Sequence, residues 1–132
     1  MLKPRRAPGA DTGPDFDTRE LVRGRFGNRC ARCGGYGGGN VHHRRPRGRG
    51  GNQRQDDGDD TNCPTNLLWL CGSGTTGCHG WAESNRSVSY DEGWLVPHGI
   101  TPPVDVPVRL WDGRLVYLNP DGGWDYAATR TE

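Results

Sequence analysis

The sequence predicts an α+β fold built around a small strand, loop, strand, helix core and stapled by a metal ion. Three observations carry this reading. Apolar residues other than glycine make up only 31% of the 132 residues, while glycine supplies 22 of them, well above its usual share of about 7%. The cysteines fall into two spaced pairs, Cys30-x2-Cys33 and Cys71-x6-Cys78. A short strand read at residues 41 to 47 and an apolar run of strand length at 66 to 70 precede a stretch of helical composition. A chain of this length buries a limited core, and in a reducing compartment a metal is the usual reinforcement.

Residues 1 to 15 are rich in proline, glycine and charge and read as a disordered basic arm. From Asp17 the pattern becomes helical: Asp17 and Glu20 have capping-box spacing, and Leu21, Val22 and Phe26 supply an apolar side. The helix is expected to end at Gly27. Cys30-Ala31-Arg32-Cys33-Gly34-Gly35 reads as a zinc knuckle, with two thiolates able to reach one ion and glycines that let the backbone turn around it. After the glycine turn at residues 36 to 40, residues 41 to 47 read as a short strand broken near Pro46. A loop of almost twenty residues follows, rich in glycine and aspartate, and is long enough to be functional.

Residues 66 to 70 then form an apolar run of strand length, and residues 78 to 86 a helix. Residues 93 to 97 look like a further strand. Residues 106 to 111 and 114 to 119 flank Asp112-Gly113, a two-residue hairpin signal. The expected organisation is the arm at 1 to 15, a zinc-stapled domain at 16 to 98, and a β-hairpin extension at 99 to 132 packed on or trailing that domain.

Cys30, Cys33, Cys71 and Cys78 would make a closed tetrahedral zinc site, structural because no coordination position stays open. Cys63 is the odd thiol. The net charge of +1 hides an asymmetry: residues 1 to 55 carry thirteen Lys and Arg against four acids, and residues 56 to 132 carry four against twelve. A basic half that also holds adjacent histidines suits a polyanion such as nucleic acid. Arg44, Arg45, Arg47, Arg49 and Arg54 crowd the first strand and its loop with no acid until Asp56, as a phosphate-binding edge would require.

The string His42-His43-Arg44-Arg45-Pro46-Arg47, with Cys30-x2-Cys33, Asn66-Leu67-Leu68, Leu70-Cys71, Cys78-His79-Gly80-Trp81 and Gly93-Trp94-Leu95-Val96, resembles the HNH endonucleases. It is most similar to the small HNH proteins of tailed phages and prophages of actinobacteria, over roughly residues 26 to 98. The resemblance implies a ββα-metal core, His43 as general base, Asn66 as the brace of its loop, and His79 as a ligand of a catalytic divalent ion. His42 falls where many members have a metal-binding aspartate, a change that favours transition metals over magnesium. Glu83, one helical turn after His79, is a candidate third ligand or a contact to metal-bound water.

The chemistry suits phosphodiester hydrolysis: a histidine near its intrinsic pKa can deprotonate water, and one divalent ion (Mg2+, Mn2+, Ni2+ or Zn2+) can neutralise charge on the phosphate and the leaving oxygen. The expected function is therefore metal-dependent DNA cleavage in phage DNA processing or packaging, with DNA and phage packaging proteins as partners. The alternatives are a zinc-stabilised nucleic-acid-binding module without catalysis, or a nuclease of bacterial defence or of a mobile element. No apolar run is long enough to span a membrane, and the N-terminus has no apolar signal segment, which predicts a cytoplasmic protein.

Overall fold

A computed structural model describes residues 13–45, 61–99 and 101–127. Helix α1, Phe16–Arg25, starts two residues earlier than the capping-box spacing predicts. The Asp15 carboxylate is the cap, accepting from the Thr18 amide at 2.8 Å. Asp17 lies inside the first turn, where a carboxylate still favours the positive end of the helix dipole, and Glu20 pairs with Arg23. Gly13, Pro14 and Asp15 therefore belong to the folded unit, although they fall within the expected arm. The helix ends as expected, with Gly27 and Asn28 both in the left-handed region (φ +66° and +69°).

Strand β1, Gly39–His43, pairs antiparallel with β2, Leu67–Cys71, placing His42 opposite Leu68 and His43 opposite Leu67. Gly39 is needed at the start of β1 because a Cβ there would sit 2.8 Å from the Trp69 indole nitrogen. Helix α2, Gly77–Ser84, follows β2, so the strand, loop, strand, helix order holds. The single helix expected over residues 78 to 86 is instead two, since Asn85 leaves helical geometry before α3, Arg86–Glu92. Residues 93 to 97 form no strand: Gly93 caps α3 at φ +81°, and the segment meets β1 and the residues after it through isolated contacts, the Val96 amide donating to the Arg44 carbonyl at 2.8 Å and the Trp94 carbonyl lying 2.7 Å from His42 Nε2.

A second sheet, β3 (Val108–Arg109), β4 (Leu115–Leu118) and β5 (Trp124–Tyr126), completes the chain. The Asp112-Gly113 signal marks a real hairpin, but its loop has three residues. The Leu110 amide donates to the Arg114 carbonyl at 2.8 Å and Gly113 takes the left-handed position at φ +90°, the type I turn plus bulge arrangement. Strand β5 escaped the sequence reading because it is three residues long and only partly buried.

The two sheets share one core. Leu68 and Leu70 of β2, Ala82 of α2 and Phe26 meet Val108, Leu110, Val116 and Leu118 of the second sheet. The C-terminal segment is thus part of the domain's interior. A ladder of stacked cations and rings fastens the cysteine knuckle to that sheet: Arg29 lies over Tyr36 and Trp111, and Arg114 lies over Trp111 and Trp124, each within about 5.3 Å of a ring centre. Partly exposed pairs of this kind contribute about 0.5–1 kcal/mol each.

Arg44 and Arg45, expected on a phosphate-facing edge, are instead buried. The Arg44 guanidinium donates to the carbonyls of Gly93 (2.8 Å), Thr65 (2.8 Å), Pro103 (3.0 Å) and Val106 (2.6 Å). Arg45 donates to those of Pro97 (3.2 Å) and Thr101 (2.6 Å). A planar guanidinium with five donors can satisfy several backbone acceptors at once. Here it replaces the regular pairing that the irregular segment from Gly93 to Val106 lacks. Arg47, Arg49 and Arg54 lie outside the described residues.

Among the described residues no helix is long and apolar enough to cross a membrane.

Candidate metal centre and histidine site

Cys30 and Cys33 sit on a tight turn closed by the Cys30 amide to Gly35 O (2.9 Å) and the Gly34 amide to Cys30 O (2.8 Å). Gly34 (φ +76°) lies so close to the Trp111 ring that a Cβ would overlap it. Cys71 ends β2 and Cys78 opens α2. The loop between them turns back through Gly72 and Gly77 (φ +86° and +61°), where a Cβ would collide with the backbone of Thr76 and Cys71. This close backbone approach is what the wide x6 spacing encodes.

The four sulfurs all lie within 4.8 Å of one another, a group able to hold a metal ion such as zinc. Their surroundings fit a bound cation. Backbone amides of Cys33, Gly35 and Cys78 point at the sulfurs of Cys30, Cys33 and Cys71 at 3.4–3.5 Å. Arg32 donates to Cys78 Sγ at 3.3 Å while its guanidinium lies 3.7 Å from the Trp81 ring centre and 5.0 Å from that of Trp94. Without a metal, burial pushes the Cys78 thiol up to about 12. Cys63 stands apart from this group and accepts from the Thr65 hydroxyl at 3.3 Å.

The histidines come from two elements. His42 points into the protein, and its Nε2 lies 2.7 Å from the Trp94 carbonyl. A carbonyl can only accept, so Nε2 carries the proton and Nδ1 the lone pair. That Nδ1 is buried without a hydrogen-bond partner and faces Glu83 Oε2 at 3.7 Å. Burial, reinforced by the nearby His79, His43 and Arg44, holds the His42 pKa down to about 3. The imidazole is therefore neutral at physiological pH. His79, on α2, stands edge-on to His42 with ring centres 4.9 Å apart, and its own Nδ1 is also buried without a partner. Burial lowers its pKa too, with Glu83 opposing.

Two orphaned imidazole nitrogens and a carboxylate on facing elements have the donor chemistry of a site for a divalent transition metal. The Trp94 carbonyl stands where the outer acceptor of a ligating histidine would stand. The trio is looser than the cysteine group: among the described residues only the four cysteines draw three or more ligand atoms within 4.8 Å.

His43, the next residue on β1, projects to the other face of the strand. It borders a cavity of about 260 Å³ shared with His79, Arg19, Asn40 and Val41. Its Nε2 lies 2.7 Å from the Asn62 side-chain oxygen. Asn66 is buried, and its amide donates to the carbonyls of Arg45 (3.0 Å) and Thr61 (2.9 Å) while its oxygen accepts from the Arg45 amide (2.8 Å). It clamps the end of β1 to the segment that leads into β2. No family model, curated protein or solved structure matches this chain.

The structure thus brings together His42, His79 and Glu83, sets His43 on the cavity that His79 also lines, places Asn66 as a clamp on the residues after β1, and gathers the four cysteines separately. Three participants escaped the sequence reading: Asn62, the Trp94 carbonyl and Arg19. Nothing in their spacing announces them. Asn62 reaches His43 across nineteen residues and Trp94 reaches His42 across fifty-two, and backbone carbonyls leave no mark in composition.

Proposed function

We propose that the chain is a metal-dependent DNA endonuclease of the HNH kind, with a structural zinc on Cys30, Cys33, Cys71 and Cys78. The observation that carries this reading is the meeting of β1 and α2 at three histidines, two of which keep a buried, unpartnered Nδ1 while the third borders the cavity. Leaving both nitrogens without a partner would cost about 1–3 kcal/mol each, and a bound cation would satisfy the two at once.

In this reading His42 and His79 would hold the catalytic ion, and Glu83 would add a carboxylate beside them. When bound, a divalent ion there supplies charge neutralisation on the phosphate and the leaving oxygen. His43 takes the proton of the attacking water as the oxygen–phosphorus bond forms and the bond to the 3′ oxygen breaks. Asn66 keeps the β1 end fixed so that this histidine meets the water at one geometry. Arg19 also lines this cavity, with its Nε donating to the Pro14 carbonyl at 2.9 Å, and adds positive charge beside the place a phosphate would occupy. Arg44 and Arg45 have no part in this. The setting suggested by the resemblance, processing or packaging of phage DNA, belongs to the same proposal.

The test is cleavage of plasmid DNA by purified protein with a panel of divalent ions, comparing the parent with His43→Ala. Metal-dependent cleavage by the parent, lost in His43→Ala, supports the nuclease; DNA binding without cleavage under any ion points to the binding module.

A further inference from the structure

The nuclease reading leaves open how the proposed base is held, and the contacts of His43 address that point. The clamp made by Asn66 does not touch His43. It grips Arg45, two residues further along the chain, and Thr61, whose carbonyl accepts from the Asn66 amide at 2.9 Å. Thr61 and Asn66 are both buried. The residue after Thr61 is Asn62, and its Oδ1 lies 2.7 Å from His43 Nε2. The chain of contacts runs from Asn66 through the Thr61 backbone to the Asn62 side chain and only then to the imidazole.

We propose that Asn62 is a positioning residue for the catalytic histidine. Its side-chain oxygen accepts the Nε2 proton of His43, fixing both the ring plane and the tautomer, with the lone pair on Nδ1. A neutral imidazole has one N–H and one lone pair, so an acceptor held against Nε2 decides which nitrogen is basic. The partner's neutrality matters as well. An aspartate in this place would hold the ring equally well but would set a negative charge beside a cavity meant for a phosphodiester, and like charges disfavour such binding. An amide orients the base without that repulsion. This assigns Asn66 an indirect role, as the anchor of the residue that does the orienting.

The inference rests on the nuclease reading, and a substitution series separates the two. On a short duplex DNA with Mn2+, Asn62→Ala is expected to lower kcat by about 10- to 100-fold, the usual worth of an outer partner of this type, with KM little changed. Asn62→Asp restores the acceptor, so kcat should recover most of the way while KM rises through repulsion. Asn62→Leu should behave as Asn62→Ala.

A readout independent of turnover is the pair of ring nitrogen chemical shifts of His43 at a pH where the ring is neutral. The parent should show a single Nε2–H form and Asn62→Ala a mixture. A folded Asn62→Ala protein with parental kcat, or a parent whose His43 carries its proton on Nδ1, overturns the inference and leaves the nuclease standing. A parent that cleaves no DNA with any divalent ion overturns the nuclease reading and the catalytic meaning of Asn62 with it. Equal loss in Asn62→Asp and Asn62→Leu, in step with lost thermal stability, would mean a structural role only.

Discussion

His42 rests its Nε2 2.7 Å from the carbonyl of Trp94, fifty-two residues away in the chain. That contact fixes the ring's tautomer and leaves the opposite nitrogen, Nδ1, buried against Glu83 with no partner. It also ties the β1 strand to the irregular segment behind α3. A histidine so placed is neutral in the folded protein and easily protonated in the unfolded chain, and this has a consequence for stability.

The His42 pKa is held down to about 3 by burial, against 6.5 for the free side chain. Between those values the unfolded chain binds a proton that the folded protein does not. The contribution of His42 to stability is therefore fully present above pH about 6.5 and is lost as pH falls toward about 3, at up to about 1.4 kcal/mol per pH unit. His42→Gln should flatten this slope: the stability gap between parent and variant, read from denaturant midpoints, should shrink as pH drops from 6.5 to 4.5. A gap that stays constant over that range would mean that His42 is not buried as described.

Zinc binding is expected at about one ion per chain, retained through dialysis. Because burial pushes the metal-free Cys78 thiol up to about 12, binding must release protons, and zinc affinity should fall steeply as pH is lowered. Cys30→Ser should unfold the domain, whereas Cys63→Ser, outside the sulfur cluster, should retain both fold and metal. A well-folded preparation without metal would contradict the site.

Arg44 is expected to matter for folding and not for DNA. Truncating it strands three buried carbonyls and a partly buried fourth, so Arg44→Ala should destabilise by on the order of 3 kcal/mol or more. Whatever DNA binding the folded protein has should keep its parental salt dependence, since a true phosphate contact would remove about 0.9 from the slope. A stable Arg44→Ala protein with a flattened salt slope would restore the edge-contact reading.

The strand, loop, strand, helix order was legible because Leu67, Leu68 and Leu70 form an apolar run and because Cys71 and Cys78 mark the turn between β2 and α2. The four-cysteine cluster was legible for the same reason: ligand spacing is a local property of the chain. The arginines misled because charge in a sequence does not say whether water or backbone carbonyls surround it. Arg44 and Arg45 serve the segment of residues 93–106 in place of a strand ladder, which is also why Gly93 to Pro97 looks like a strand and forms none. The α2–α3 break falls at Asn85, whose amide and side chain both turn back to the Trp81 carbonyl, with no proline or glycine to mark it in the sequence, and β5 is only three residues long.

The most direct measurement is single-turnover cleavage of duplex DNA with and without added divalent ion, for the parent and for His43→Ala matched in zinc content and thermal stability. The expected result is ion-dependent cleavage by the parent, reduced by about 10²- to 10⁴-fold in His43→Ala, the usual worth of a positioned base, with DNA affinity nearly unchanged. Parental cleavage by a folded His43→Ala protein, or no cleavage by the parent with any divalent ion, would contradict it.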